Sequence, residues 1–218
     1  MHPIIETILQ FLYPRACLGC RRAGVALCVP CLATLRQAPA LKGEYDYALY
    51  DYGDKIVRKS ILAFKYRHNK EPARLLLKYG VPQVSGFLAD VLQSTALVPL
   101  ILVPIPQHKQ KTRARGYNQS RLLALWLAES IEGVQVAELL IKTIPTSPQA
   151  RIQRKSARIK NIAQSMRASK PIDGKSVYII VDDVTTTGAT MNEARRALKA
   201  GGGKKIIALA LAHGNLLA

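Results

Sequence analysis

The stretch from Val177 to Thr190 constrains the fold more than any other part of this chain. It opens with five apolar residues that no polar residue interrupts, and such a run predicts a strand buried on both faces of a parallel sheet. Asp182 and Asp183 follow directly, then a turn rich in hydroxyl groups and a helical pattern that begins near Met191. Because further apolar runs alternate with helical patterns along the chain, the sequence predicts an α/β fold with a mostly parallel sheet.

The turn after this strand has the composition of an anion-binding loop. A loop between the carboxyl end of a strand and a helix presents backbone N–H groups, and Gly188 lets the backbone approach a ligand closely. The turn can therefore cradle a phosphate monoester, while Asp182 and Asp183 are placed for sugar hydroxyls or a magnesium-bound ligand. An ordinary core strand with a threonine-rich helix cap is the alternative. Adjacent carboxylates repel each other, however, and favour a site that supplies a cation or hydroxyl donors.

The order of residues in this turn is specific. Val-Asp-Asp-Val-x-Thr-Thr-Gly-x-Thr resembles the phosphoribosyl pyrophosphate motif of type I phosphoribosyltransferases. The resemblance implies a mostly parallel sheet flanked by helices, and phosphoribosyl pyrophosphate bound with magnesium. The residues that it assigns to this ligand are Asp182, Asp183, Thr185, Thr186, Thr187, Gly188, Ala189 and Thr190.

A second polar segment follows the strand predicted over Leu100–Pro104. Two prolines stiffen its entry, and Gly116 and Asn118 supply turn and cap geometry for the next helix. Its cations lie at the carboxyl end of a strand, where open α/β sheets bind their ligands. We therefore predict a diphosphate-binding loop that contains Pro104, Ile105, Pro106, Lys109, Arg113, Arg115 and Asn118.

The four cysteines form two pairs near the start of the chain, Cys17-x2-Cys20 and Cys28-x2-Cys31. Two such pairs can place four thiolates tetrahedrally around a zinc ion. Disulfides are disfavoured because the spacing within each pair is short and the chain has a cytosolic character. A redox dithiol explains one pair but not two. The sequence thus predicts a closed, structural zinc ribbon.

The net charge of +18 is extreme for this length, and it is unevenly distributed. Residues 98–128 contain no acidic residue but five cations, and other basic clusters lie within 55–78 and 151–170. A basic surface that only confers solubility is one explanation. Nucleic acid is the other, since Tyr66 and Tyr117 could stack on unpaired bases. The predicted DNA-binding residues are Arg151, Arg154, Lys155, Arg158 and Lys160.

The apolar patterns give further expectations. No apolar stretch reaches the roughly 18 uncharged residues of a membrane span, and residues 1–13 lack the features of a signal peptide. We therefore expect a cytoplasmic protein, either free or peripheral at the inner face of the membrane. Helices are predicted over 1–12, 32–37, 56–65, 75–92 with an interruption near Pro82, 119–131 and 192–200. Strands are predicted over 45–52, 100–104, 177–181 and 206–211, with weaker strands over 134–143 and 164–168 flanking a basic hairpin.

Several of these features together resemble one family. They are the four-cysteine segment, Phe64-Lys65-Tyr66, the Val-Pro-x-Pro and Arg-Gly-Tyr-Asn-Gln block, and the threonine-rich turn. This combination is similar to the ComF family over nearly the whole chain. Two departures are Arg67-His68-Asn69 in place of a Gly-Asp-like turn and a shift of about one residue in the basic hairpin that carries Gln149.

The resemblance to the ComF family implies an N-terminal helix and a zinc ribbon in residues 1–40 and a phosphoribosyltransferase-like domain in residues 41–218. It implies ligand contacts from Lys65 and Tyr66. It also implies a role in natural transformation, in which the protein handles imported single-stranded DNA, with a DNA-uptake helicase or channel component as partner. The alternative is an active phosphoribosyltransferase that transfers ribose 5-phosphate to an unidentified base or acceptor.

Overall fold

A computed structural model describes residues 15–41, 46–93, 98–143 and 164–214 of the protein. The helix predicted over 1–12 and most of the basic hairpin lie outside the described residues. The helices are α1 Val29–Ala33, α2 Lys55–Tyr66, α3 Glu71–Gln93, α4 Lys109–Arg115, α5 Gln119–Ser130 and α6 Ala189–Ala200. The strands are β1 Asp46–Asp51, β2 Leu100–Pro104, β3 Val134–Val136, β4 Leu140–Lys142, β5 Met166–Ala168, β6 Val177–Thr185 and β7 Lys205–His213.

The main sheet has five strands in the order β1-β7-β6-β2-β3, and every neighbouring pair is parallel. The predicted central strand is therefore confirmed, with β6 between β7 and β2. It runs four residues beyond its predicted end at Val181, because Asp182 and Val184 still pair with Ala210 and Ala212 of β7. The two aspartates thus lie near the carboxyl end of a strand, and the pairing of this strand with β7 fixes their backbone. Parallel β strands joined through helices confirm the predicted fold class.

Helices cover both faces of this sheet. Alternate residues of β6 point to opposite sides, as the twofold repeat of a strand requires. Val177 and Ile179 pack in a core with helices α2, α3 and α5, whereas Tyr178 and Ile180 pack in a second core with helix α6. A small antiparallel sheet of β4 and β5 lies beside α6.

Three sequence expectations about helices were wrong. Helix α3 continues through Pro82, because that residue lies on the exposed side while Leu76, Leu77 and Val84 anchor the helix in the core. A helix occupies Val29–Ala33, with a proline in its first turn, and the helix expected over 32–37 is not formed. Helix α4 forms within the segment expected to be a loop. Its residues are almost all polar, so no apolar periodicity could reveal it.

None of the described helices is both long enough and apolar enough to cross a bilayer.

Candidate ligand site at the carboxyl edge of the sheet

The two aspartates at the end of β6 have different partners. Asp183 is buried, and its Oδ1 lies 2.9 Å from the Nζ atom of Lys65, the penultimate residue of α2. Asp182 accepts two hydrogen bonds at its Oδ1 atom, from the Ser120 hydroxyl and from the backbone N–H of Asp183, both at 2.9 Å. The carboxylates are therefore held by α2, by α5 and by their own strand, and their orientation does not depend on a ligand.

The electrostatics of the pair follow from this arrangement. Burial and the neighbouring charge of Asp183 raise the pKa of Asp182 to about 6, against the opposing effects of Lys65 and Ser120. Burial lowers the pKa of Lys65, but the carboxylate of Asp183 overcomes this effect and the net pKa of Lys65 is raised. One cation therefore serves two carboxylates, which leaves net negative charge at the edge of the sheet. Oxygen ligands with such a charge suit magnesium.

The threonine-rich turn leads from these carboxylates into α6. Thr185 is the buried last residue of β6, and its carbonyl accepts a hydrogen bond of 2.9 Å from the N–H of Gly214. Gly188 precedes the helix with a φ of 73°, a left-handed conformation that favours glycine. The helix has 12 residues, so its dipole is fully developed where the turn ends. The turn thus places a helix N-terminus and threonine hydroxyls beside the aspartates, as an anion site requires.

Part of the predicted diphosphate loop forms its framework. Ile105 is buried, and its N–H donates to the carbonyl of Val181 at 3.0 Å. Asn118 donates to the carbonyl of Ile105 at 2.9 Å and also caps α5 by accepting from the N–H groups of Ser120 and Arg121. These contacts tie the segment to the sheet edge next to the aspartates. They give Ile105 and Asn118 a supporting role in this site.

The cations of this loop occupy different positions. Arg113 is exposed on α4, and the side chain of Lys109 lies outside the described part of the structure. Arg115 donates to the side-chain oxygen of Gln119 at 3.2 Å, and its guanidinium carbon lies 5.3 Å from the centre of the Tyr66 ring. Tyr66 is 67% exposed. The structure therefore brings Tyr66 together with the diphosphate loop and directs Lys65 to the aspartates.

The sequence did not predict the contacts that two residues near the aspartates make. Ser120 supplies the hydroxyl that holds Asp182, and the hydroxyl of Tyr117 donates to the carbonyl of Phe64 at 2.6 Å, just before Lys65. The signal for Ser120 was its position two residues after the helix-capping Asn118, which places it in the first turn of α5. Nothing in the local sequence indicated the contact of Tyr117, because it joins residues 53 positions apart.

The four cysteines form a separate cluster near the start of the described chain. Their sulfur atoms all lie within 4.8 Å of one another. The backbone N–H of Cys28 donates to the sulfur of Cys17 at 3.4 Å. Burial raises the pKa of the Cys17 thiol, but hydrogen bonds from the backbone of Cys20, Cys28 and Gly19 outweigh it and lower that pKa to about 6. Four convergent sulfur ligands fit a structural zinc ion.

The predicted DNA-binding residues belong to one segment of the chain. Arg151, Arg154, Lys155, Arg158 and Lys160 all lie in the segment 144–163, which is outside the described residues. The short strands β4 and β5, which flank this segment, pair with each other in antiparallel fashion. The described residues on either side of this segment are therefore close together beside α6.

Comparison with known proteins agrees with this geometry. Residues 132–215 match the phosphoribosyl transferase domain. The chain is 30% identical over 105 residues to the DNA utilization protein YhgH of Escherichia coli O157:H7, covering 46% of this chain and 44% of that protein. It is 31% identical over 118 residues to competence protein F of Haemophilus influenzae, covering 53% and 51%. It is 26% identical over 155 residues to competence protein ComFC of Bacillus subtilis, covering 69% and 56%. The chain thus spans about half the length of these curated relatives.

Proposed function

We propose that this chain is a competence-related, phosphoribosyltransferase-like protein of the ComF family. In this proposal it binds phosphoribosyl pyrophosphate with magnesium and handles single-stranded DNA during natural transformation. The observation that carries the ligand proposal is the convergence at the end of β6. Asp182 and Asp183, held by Ser120 and Lys65, lie directly before a threonine-rich turn and a helix N-terminus. One small molecule that combines a phosphate, ribose hydroxyls and a magnesium-bound diphosphate uses all of these groups.

Different residues of the site bind different groups of the proposed ligand. The turn over residues 185–190 takes the 5-phosphate, because it combines threonine hydroxyls with the N-terminus of α6. Asp182 and Asp183 take the ribose hydroxyls. The segment 104–118 faces the diphosphate with magnesium and supplies the positive charge of Arg113 and Arg115.

The DNA proposal has two supports. The net charge of +18 far exceeds what one phosphorylated small molecule needs, and the relatives carry the names competence protein F, ComFC and DNA utilization protein. We further propose that a structural zinc ion occupies the four-cysteine cluster, and that the protein works in the cytoplasm with a component of the DNA-uptake machinery.

The first prediction concerns the ligand. Calorimetry should show that phosphoribosyl pyrophosphate binds in the presence of magnesium. Removing magnesium should weaken binding by at least about tenfold, because the diphosphate binds as a magnesium complex. Ribose 5-phosphate and pyrophosphate are the controls, and each should bind more weakly than the intact ligand. Equal affinity with and without magnesium would contradict the assignment of the diphosphate.

An active phosphoribosyltransferase is the second candidate function, and the match to the phosphoribosyl transferase domain supports it. The same protein should be incubated with the ligand, magnesium and a panel of nucleobases. Pyrophosphate release that depends on one base would establish transfer to that acceptor. Tight ligand binding without release would favour a ligand or regulatory pocket in a DNA-handling protein.

The second prediction concerns the basic hairpin. Reversing the charge of Arg151, Arg154, Lys155 and Arg158 should lower the affinity for single-stranded DNA of any sequence alike. It should also flatten the dependence of affinity on salt, since fewer counterions are released on binding. Filter binding across a salt series measures both quantities. Identical weak retention of DNA by the wild-type and charge-reversed proteins would show that the hairpin is not a DNA contact.

A further inference from the structure

Three aromatic rings on one face of the protein each carry a cation. The guanidinium of Arg115 lies 5.3 Å from the centre of the Tyr66 ring, and that of Arg74 lies 5.8 Å from the centre of the Trp126 ring. The ammonium of Lys70 lies 4.6 Å from the centre of the Tyr117 ring. We call these six residues the cation–aromatic row. Such pairs also occur singly on protein surfaces, where they add a little stability, but here they are neighbours.

The middle and far rings of the row share one support. The rings of Tyr117 and Trp126 pack against Phe64 of α2, with centroid distances of 5.4 and 5.7 Å. Tyr66 lies two residues further along the same chain segment and directly follows Lys65, the partner of Asp183. The row therefore begins beside the candidate ligand site and extends along α2, α3 and α5 away from it.

The row is accessible and predominantly basic. The ring of Tyr66 is 67% exposed, the side chain of Arg74 is 61% exposed, and Arg67 and Lys70 are exposed as well. Two acidic side chains face it, Glu129 paired with Arg74 and Glu71 paired with Arg15. Both pairs are exposed ion pairs, which competing phosphates can separate.

The far end of the row opens into a cavity of about 420 Å³ between α3 and α5. Its lining combines the Trp126 ring and Leu75 with two cations, Arg74 and Lys78, and with the carboxylates of Glu71 and Glu129. Aromatic surface that alternates with cations is what a single strand recognises, since its bases stack on rings while its phosphates pair with the cations. Of the three rings, Tyr66 is exposed, whereas Tyr117 and Trp126 are partly buried against the core. A folded acidic protein would use the charges but would have no need of the exposed ring of Tyr66 or of Trp126 in the cavity lining.

We propose that the cation–aromatic row is a binding track for single-stranded DNA that leads from the candidate ligand site to the cavity beside Trp126. The proposal rests on the proposed DNA function and adds a surface to it that is separate from the basic hairpin 144–163. DNA bound on this track stacks bases on the exposed ring of Tyr66 and on Trp126 in the cavity lining, and its backbone runs along Lys70 and Arg74. A strand on the track therefore ends next to the pocket for phosphoribosyl pyrophosphate.

Trp126 makes the proposal directly testable because it is the single tryptophan of the chain. Full-length protein is titrated with a labelled oligonucleotide of about 20 thymidines, while oligonucleotide anisotropy and tryptophan emission are recorded at about 50 to 200 mM salt. The expected result is that binding quenches the emission of Trp126 in proportion to the bound fraction, since a base stacks against the ring.

Two kinds of variant separate the charges from the rings. The double variant Lys70→Gln and Arg74→Gln should lower affinity at least about fivefold and make the slope of log affinity against log salt shallower by about 1.4, since two phosphates lose their cations. Tyr66→Leu should lower affinity about threefold or more and leave the slope unchanged, because it removes stacking and no charge. Matched controls are Lys175→Gln with Lys205→Gln, exposed at the opposite edge of the sheet, and Tyr79→Leu on α3 outside the row. These controls should bind DNA like the wild type.

The outcomes distinguish this proposal from the proposed function. If DNA raises the anisotropy but leaves Trp126 emission unchanged, and the row variants bind like the controls, the track is refuted while DNA binding stands. If no DNA binds under any condition, the proposed DNA function fails and the track fails with it. Unchanged binding of phosphoribosyl pyrophosphate by the double variant shows that it is folded, so a loss of DNA binding in that variant supports the track.

Discussion

Replacing Asp182 with asparagine should weaken magnesium-dependent binding of phosphoribosyl pyrophosphate by at least about tenfold and should stabilise the unliganded protein at neutral pH. The charge of Asp182 is destabilising in the folded protein, because burial and Asp183 raise its pKa to about 6. Both hydrogen bonds to Asp182 end at its Oδ1 atom, so the carbonyl oxygen of asparagine can accept both. The substitution therefore removes the repulsion and keeps the packing. We expect a gain of the order of 1 to 2 kcal/mol in the free energy of unfolding above pH 7.

The raised pKa of Asp182 determines how the stability of the protein changes with pH. The pKa of Asp182 is higher in the folded protein than in the unfolded chain, where it is about 4. Its contribution to stability is therefore fully present below about pH 4 and is lost as the pH rises through about 6. Denaturant unfolding between pH 5 and 8 should show this loss in the wild-type protein and not in Asp182→Asn. Ligand affinity should fall below about pH 6 in the wild type, because protonation removes the charge with which Asp182 accepts hydrogen bonds from the ribose hydroxyls.

Asp183→Asn should have the opposite effect on stability. It leaves the ammonium of Lys65 without its charged partner at 2.9 Å in a largely buried position. Removing one charge of a buried ion pair is destabilising by about 3 to 5 kcal/mol. Asp90→Asn, exposed on α3, is the matched control and should change neither stability nor affinity. Equal stabilisation by Asp182→Asn and Asp183→Asn, or unchanged affinity in both, would contradict the roles assigned to the pair.

The sequence predicted the centre of this site because its determinants are local. An uninterrupted apolar run fixes β6, and the aspartates and threonines that follow it reach the sheet edge by chain connectivity alone. The cysteine cluster was predictable for the same reason, since the short spacing within two Cys-x2-Cys pairs is enough to bring the four thiols together. In both cases the relevant residues lie within about 15 positions of one another.

The parts that the sequence did not predict depend on contacts between distant segments. The hydrogen bond of Ser120 to Asp182 joins residues 62 positions apart, and that of Tyr117 to Phe64 joins residues 53 positions apart. Helix α4 was missed because His108 and Gly116 cap a segment without an apolar face. The predicted interruption at Pro82 failed because tertiary packing of α3 outweighs the local effect of one proline. The division into residues 1–40 and 41–218 stays a prediction.

Removing the zinc proposed for the four-cysteine cluster should destabilise more of the protein than the ribbon itself. The sequence leads to the expectation that a Cys→Ser change unfolds the ribbon and spares the α/β core. In the structure, however, Cys17, Leu27 and Leu32 belong to the same apolar core as Val57 and Phe64 of α2. We therefore expect Cys17→Ser to reduce the zinc content well below one ion per chain. We also expect it to lower the melting temperature by about 10 °C or more.

A steric variant tests the same cluster without removing a ligand. A Cβ atom added at Gly19 would lie 2.6 Å from the sulfur of Cys31 and 2.9 Å from Cδ1 of Ile56 on α2. Gly19→Ala should therefore lower zinc affinity and stability together. Arg22→Ala, exposed in the same segment, is the control and should retain both properties.

Metal analysis measures the zinc content of the reduced protein, and thermal unfolding measures its melting temperature. The emission of Trp126 shows whether the loss of zinc also changes the core beyond the ribbon. Its ring lies 5.7 Å from that of Phe64 on α2, so chelation of zinc should shift tryptophan emission if the shared core loosens. An emission spectrum that stays constant while zinc is lost would confine the damage to the ribbon. Native protein without zinc, or a Cys17→Ser variant with unaltered metal content and melting temperature, would rule out a structural zinc at this site.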